Sequence, residues 1–147
     1  VECYRKHFMG CEDSMQLFPG VPELLGDLRQ RGHRLAIATG KSRRGLDRAL
    51  EAVGMTAHFH ATRCGDETQP KPHPAMLLEL LDVLMVEPDR ALMIGDTSHD
   101  LEMARSAGVP AIGVCSGAHP IHALEALAPL ACLRSVAELG RWLQKNG

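Results

Sequence analysis

The stretch Leu92-Met-Ile-Gly-Asp-Thr-Ser-His-Asp100, continued by Leu101-Glu-Met-Ala104, decides the fold. Its first part, Ala91 to Ile94, is a short apolar run of the kind that forms a buried parallel strand, and it stops at Gly95, where the backbone can turn tightly. Its second part predicts a helix. Thr97 or Ser98 can cap it, Leu101, Ala104 and Ala107 recur at helical spacing, and Gly108 can end it in a left-handed turn. Asp96 then stands at the carboxyl end of a strand and Asp100 in the first turn of the following helix, so two carboxylates converge on one small volume. Such a pair suits a hard divalent cation, most naturally magnesium, which accepts one or two carboxylates and keeps positions for water and substrate phosphate. The plainer alternative is that Asp96 terminates a strand and Asp100 complements the helix dipole, each worth about 0.3–1 kcal/mol.

Working outward, strand-like and helix-like segments alternate. Pro22 lies near the first turn of a helix with Leu24, Leu25 and Leu28 on its inner stripe, ended by Gly32. The apolar run Arg34 to Ala38 predicts a strand that stops at Thr39-Gly-Lys-Ser42, and Leu46, Ala49, Leu50 and Val53 mark the next helix, stopped by Gly54. Ala57 to Thr62 reads as a shorter strand, followed by a polar loop through Lys71-Pro-His-Pro74 and a helix carrying Leu77, Leu80, Leu81 and Leu84. Beyond Gly108, Ala111 to Cys115 predicts a strand, a helix runs to about Ala128, Leu130 to Leu133 is a short edge strand, and Val136 to Gln144 is a helix that buries Trp142. Val1 to Gly10 reads as a helical fragment and Cys11 to Phe18 as a linker. Alternation of this kind argues for a three-layer α/β/α, Rossmann-like parallel sheet with right-handed crossovers. In such sheets the ligand site lies outside the carboxyl ends of the strands.

The polar exceptions gather at that edge: Thr39 and Gly40 after one strand, Lys71 after the next, Asp96 and Asp100 after the third. The Thr39 hydroxyl and neighbouring backbone N–H groups can grip phosphate oxygens, although a threonine there also serves simply to shape a turn. The Lys71 ammonium can neutralise charge on a phosphoryl group, although a loop lysine is ordinarily just solvated. His58 and His60 flank Phe59 and would share one side of a strand as an edge pair or, with a third ligand, a metal site; His99 lies beside the cleft.

Composition bounds the rest. A chain of 147 residues suits one domain with a sizeable core, and with 45% hydrophobic but 3% aromatic residues that core must be aliphatic. A formal charge of −2, with no basic run beyond the short cluster Lys41 to Arg44, argues against nucleic acid or an anionic membrane as partner. No apolar run approaches the ~20 residues of a membrane span, and the start of the chain lacks the order of a signal peptide, so a cytoplasmic location is expected. Cys3, Cys11, Cys64, Cys115 and Cys132 are scattered and odd in number, which indicates neither a disulfide framework nor a thiolate metal site; Cys115 and Cys132 read as core positions.

Thr39-Gly40, Lys71-Pro72 ahead of a helix, and Gly95-Asp96-x-x-x-Asp100 resemble the second, third and fourth motifs of the haloacid dehalogenase superfamily, in its order. Phe18-Pro-Gly-Val-Pro-Glu-Leu-Leu25 resembles the junction at which phosphoglycolate-phosphatase-like members return from a helical cap. The resemblance covers about Val1 to Leu143. It implies magnesium and hydrolysis of a small phosphorylated metabolite such as phosphoglycolate through an aspartyl-phosphate intermediate, with phosphosugar mutase and dehalogenase as sister activities. By the same resemblance Thr39 and Gly40 bind phosphate, Lys71 steadies phosphate and nucleophile, Asp96 ligates magnesium directly and Asp100 supports it.

One departure matters. The family carries Asp-x-Asp at the end of its first, central strand, and this chain contains no Asp-x-Asp. The resemblance therefore implies that residues 1–14 are a remnant of cap and linker, that 15–147 are the core domain, and that the first strand, the nucleophile and most of the cap are missing. The chain alone is then expected to be inactive, or to serve as a non-catalytic phosphate- or metal-binding module. A missing central strand would leave a gap of about 9–10 Å between its neighbours, a place for self-association unless the two strands pair directly.

Overall fold

The computed structural model describes residues 2–4, 21–95, 97–114 and 124–146. The strands are Glu2–Tyr4 (β1), Leu35–Ala38 (β2), Ala61–Arg63 (β3), Leu92–Gly95 (β4), Ala111–Val114 (β5) and Ala131–Leu133 (β6). The helices are Val21–Gln30 (α1), Arg43–Ala52 (α2), Ala75–Leu84 (α3), Ser98–Ala107 (α4) and Val136–Asn146 (α5). The strands form one sheet in the order β3-β2-β1-β4-β5-β6, and every neighbouring pair is parallel. The order runs outward in both directions from β1, so the topological switch point lies there, and the crevice of such a sheet opens at the carboxyl ends of the strands beside it.

Period-two alternation along each strand divides the core into two layers. Leu35 and Ile37 of β2 and Ile94 of β4 pack with Leu25 and Leu28 of α1, Leu46, Ala49 and Leu50 of α2, and Leu139 and Leu143 of α5. Ala36 and Ala38 of β2 and Met93 of β4 face the other way, into a layer built from Met76, Leu77 and Leu80 of α3 and Leu101, Met103 and Ala104 of α4. The two alanines match the bulkier side chains of α3 opposite them. The three-layer α/β/α architecture expected from the alternation is the observed one. Among the described residues no helix is long and apolar enough to cross a membrane.

Several local expectations are corrected. Residues 2–4, read as part of a helical fragment, form a strand that pairs with β2 on one side and β4 on the other, with Cys3 opposite Ala36 and Met93. The central position is thus filled by the chain itself, and a gap open to self-association is not seen. The reason is energetic: unpaired N–H and C=O groups on two buried strands cost about 1–3 kcal/mol each, more than a poor strand former loses by extending. Ala57 to Thr62 is not one strand but a 3-10 turn, Thr56–His58, followed by β3. His58 and His60 therefore do not share a strand face; His60 lies just before β3, and its Nδ1 accepts the backbone N–H of Leu35 at 3.0 Å. In α5 the buried residues are Leu139 and Leu143, whereas Trp142 is half-buried beside a groove lined by Leu133 and Arg141. Cys132 is half-buried in β6, and Cys115 lies outside the described residues.

Helix α3 ends at Met85 with φ 57° and ψ 47°, a left-handed cap that crowds any Cβ. Its side chain is 88% exposed and contributes little burial in return. Met85→Gly is expected to stabilise the protein by about 1 kcal/mol, read as a higher urea midpoint at unchanged slope.

Candidate functional site

Thr39 is the first residue beyond β2, and it is buried. Its backbone N–H donates to the Arg63 carbonyl at 3.1 Å, extending the β2–β3 ladder, and its Oγ1 accepts the N–H of Lys41 at 3.2 Å. The hydroxyl thus shapes the turn and keeps its own proton for a further acceptor. Gly40 follows, exposed at the edge of the sheet. The loop after β3 is locked against it: the Gly65 N–H donates to the Lys41 carbonyl at 2.8 Å, and a Cβ on Gly65 would stand 2.5 Å from the Gly40 oxygen. Only a glycine tolerates that approach without moving backbone.

The first turn of α4 holds the deepest charge among the described residues. Asp100 is fully buried, and its Oδ1 lies 2.6 Å from Lys71 Nζ, whose side chain is 7% exposed. The other carboxylate oxygen accepts the Thr97 N–H at 3.2 Å and the Thr97 hydroxyl at 3.0 Å, while Thr97 Oγ1 accepts the Asp100 N–H at 3.3 Å. This is a reciprocal capping box in which aspartate replaces the usual glutamate at the third helical position. The tight turn into it needs Gly95, since a Cβ there would meet the Asp100 Cβ at 2.3 Å.

Lys71 and Asp100 are therefore in direct contact, and Thr39 and Gly40 stand on the same carboxyl edge of the sheet. β2 and β4 flank β1, so the Thr39 turn and the start of α4 are about two strand spacings apart, ~9–10 Å. Lys71 crosses toward α4 from the loop that begins at β3. Asp96 lies outside the described residues, and His99 is exposed in the first turn of α4. Among the described residues no group of three or more His, Cys, Asp and Glu side chains could by itself hold a metal ion.

A polar network behind the Thr39 turn escaped the sequence reading. The Arg43 guanidinium pairs with both carboxylate oxygens of Glu67, at 2.8 and 3.3 Å, and reaches the Thr62 Oγ1 at 2.7 Å. Arg63 and the Thr68 hydroxyl share Glu79 of α3, at 3.0 and 2.5 Å. The Arg43 hydrogen bonds hold the Glu67 carboxyl below the usual carboxylate range. In the sequence Arg43 belonged to a small basic cluster, and nothing there paired it with an acid 24 residues away.

Comparison with known proteins gives the family of the fold. A model of the haloacid dehalogenase-like hydrolases matches residues 1–114, and the chain belongs to that family. It is 40% identical over 128 residues to the phosphoglycolate phosphatase of Rhodospirillum rubrum, covering 86% of this chain and 53% of that protein. To the phosphoglycolate phosphatase of Escherichia coli it is 31% identical over 129 residues, covering 87% and 51%. A crystal structure of a hydrolase from Pseudomonas syringae superposes with a TM-score of 0.80 at 25% identity, covering 88% of this chain and 59% of that one. The chain spans about half the length of the curated relatives it matches.

Two outcomes test the described geometry. Lys71→Met removes the ammonium that faces the buried Asp100 carboxylate, with an expected loss of about 3–5 kcal/mol by urea unfolding; Lys71→Met with Asp100→Leu recovers part of it, less the lost cap. Cys64, fully buried at the end of β3, has its thiol pushed up to about 11 chiefly by burial, from 9.0. The unfolded chain therefore releases this proton first, so stability is full below pH 9.0 and is lost as pH rises toward about 11. The pH slope of stability in that window is expected to be steeper than that of Cys64→Ala, by up to about 2–3 kcal/mol in total.

Proposed function

We propose that this chain carries the phosphate- and magnesium-binding part of a phosphate monoester hydrolase acting on a small phosphorylated metabolite such as phosphoglycolate. The observation that carries the reading is the buried Lys71–Asp100 ion pair, built at the carboxyl edge of the sheet that also bears Thr39 and Gly40. A charged pair is a poor way to fill a core, and its position beside a switch point is where a ligand would use it. Family membership supports the reaction class, and the two phosphoglycolate phosphatase relatives support the choice of substrate.

In this reading the Thr39 hydroxyl and the backbone N–H groups that follow it hold phosphate oxygens, and the Lys71 ammonium neutralises their charge. The donor chemistry fits magnesium, which takes one or two carboxylates and keeps its waters. Asp96 would hold the ion directly. Both Asp100 oxygens already accept hydrogen bonds, from Lys71 and from Thr97, which suits a supporting position behind that ligand. When bound, the ion would supply positive charge to the phosphoryl oxygens. The core domain is residues 15–147, with a strand added from residues 2–4, and the location is the cytoplasm.

The catalytic reading lacks a nucleophile in this chain. β1 ends at Tyr4 and is followed in sequence by Arg5-Lys6-His7, and no aspartate precedes Asp13. That observation favours a second reading, a phosphate- or metal-binding module without turnover. Magnesium-dependent hydrolysis of p-nitrophenyl phosphate is expected to be absent in this chain and to appear when an upstream apolar strand ending in Asp-x-Asp is fused to it. Turnover by the unextended chain would overturn the assignment of inactivity. Failure of inorganic phosphate to bind, or binding indifferent to Thr39→Ala, would overturn the site.

A further inference from the structure

The Arg43 side chain joins two of the loops from which the candidate site is built. Its backbone opens α2, directly behind Thr39-Gly40-Lys41-Ser42, while its guanidinium reaches into the loop after β3. There it forms a fork with Glu67, at 2.8 and 3.3 Å, and two bonds to Thr62, at 2.7 Å to Oγ1 and 3.2 Å to the carbonyl. Glu67 in turn accepts the Cys64 N–H at 2.8 Å, and Asp66 accepts the Arg43 N–H at 3.0 Å, capping α2 from across the gap. Between these contacts the loops touch without slack: the Gly65 N–H holds the Lys41 carbonyl, and Gly65 abuts Gly40. A trans peptide is rigid, so pinning the Lys41 carbonyl toward the β3 loop aims the Ser42 N–H the opposite way.

A cation at the first position of a helix works against the helix dipole, and no acidic residue stands in the first turn of α2. The placement makes sense as a tie: a planar fork that binds carboxylate in two parallel bonds fixes orientation as well as distance, which a lysine cannot do. Arg43 also neutralises Glu67 and reaches Asp47 at 3.3 Å, two carboxylates that would otherwise repel an anion arriving at Gly40.

We propose that Arg43 is a positioning residue for anion binding, acting through its Glu67 fork to hold the Thr39–Ser42 turn and the loop leading to Lys71 in one arrangement. The inference rests on the reading of that turn as a phosphate site. The test compares the full chain with Arg43→Met, Arg43→Lys and Thr39→Ala, using inorganic phosphate as ligand in calorimetry and amide hydrogen exchange without ligand. In Arg43→Met, exchange in segments 39–42 and 64–68 is expected to quicken about tenfold and phosphate affinity to fall about tenfold, while segment 97–104 keeps its protection. Arg43→Lys recovers part of both, and it serves as the test variant should Arg43→Met fail to fold. Unchanged phosphate affinity in Arg43→Met, beside a Thr39→Ala variant that loses it, overturns the inference and leaves the functional reading intact. Absence of phosphate binding by the unaltered chain overturns the functional reading and the inference with it.

Discussion

A buried charge must find its opposite, and in this protein that requirement ties Lys71 to Asp100. Each ion gives up several kcal/mol of hydration on leaving water, and the attraction repays it only when every remaining lone pair is engaged. Asp100 meets that condition through the capping box with Thr97, and Gly95 makes room for it by having no side chain. The pair therefore constrains three segments together: the end of β4, the first turn of α4, and a loop that leaves the sheet at β3, two strands beyond the centre. Leucines would hold these elements at least as well, so the chemistry at that edge is better explained by what the charges can do.

The sheet supplies the rigidity that such a site needs. Its strands alternate so that Leu35 and Ile37 meet α1, α2 and α5 while Ala36 and Ala38 meet the layer of α3 and α4, which leaves β2 no freedom to slip by one residue. Rigid strand ends then present their loops to one crevice. The loops themselves are stiffened by polar contacts rather than by apolar packing. Arg43, Glu67, Arg63 and Glu79 link the β3 loop to α2 on one side and to α3 on the other.

The central strand is the weak member. A strand flanked on both sides in a parallel sheet ordinarily reads as a run of Val, Ile and Leu, as β2, β4 and β5 approximately do, whereas β1 reads Glu2-Cys-Tyr4. It is recruited by its neighbours' need for backbone partners rather than by its own preference. Among the described residues every strand of the sheet pairs in parallel with its neighbours, and in the sequence β1 is followed by Arg5-Lys6-His7.

Much of this architecture was legible along the chain, because helix and strand periods, Gly32, Gly54 and Gly108 as stops, and Thr97 as a cap are properties of neighbouring residues. The same is true of the candidate residues Thr39, Gly40, Lys71 and Asp100, whose placement in the loops and the helix start that follow strands comes from alternation alone. The errors fell where the outcome depended on distant partners. Residues 2–4 extend because two strands elsewhere lack a neighbour, His60 is set by the Leu35 N–H, and Arg43 finds Glu67 only when α2 and the β3 loop are already folded together. Local sequence determines which elements form and where their polar ends lie; which side chains share a charge, and which segment fills a vacant place in the sheet, are decided by desolvation and hydrogen-bond demand in the assembled core.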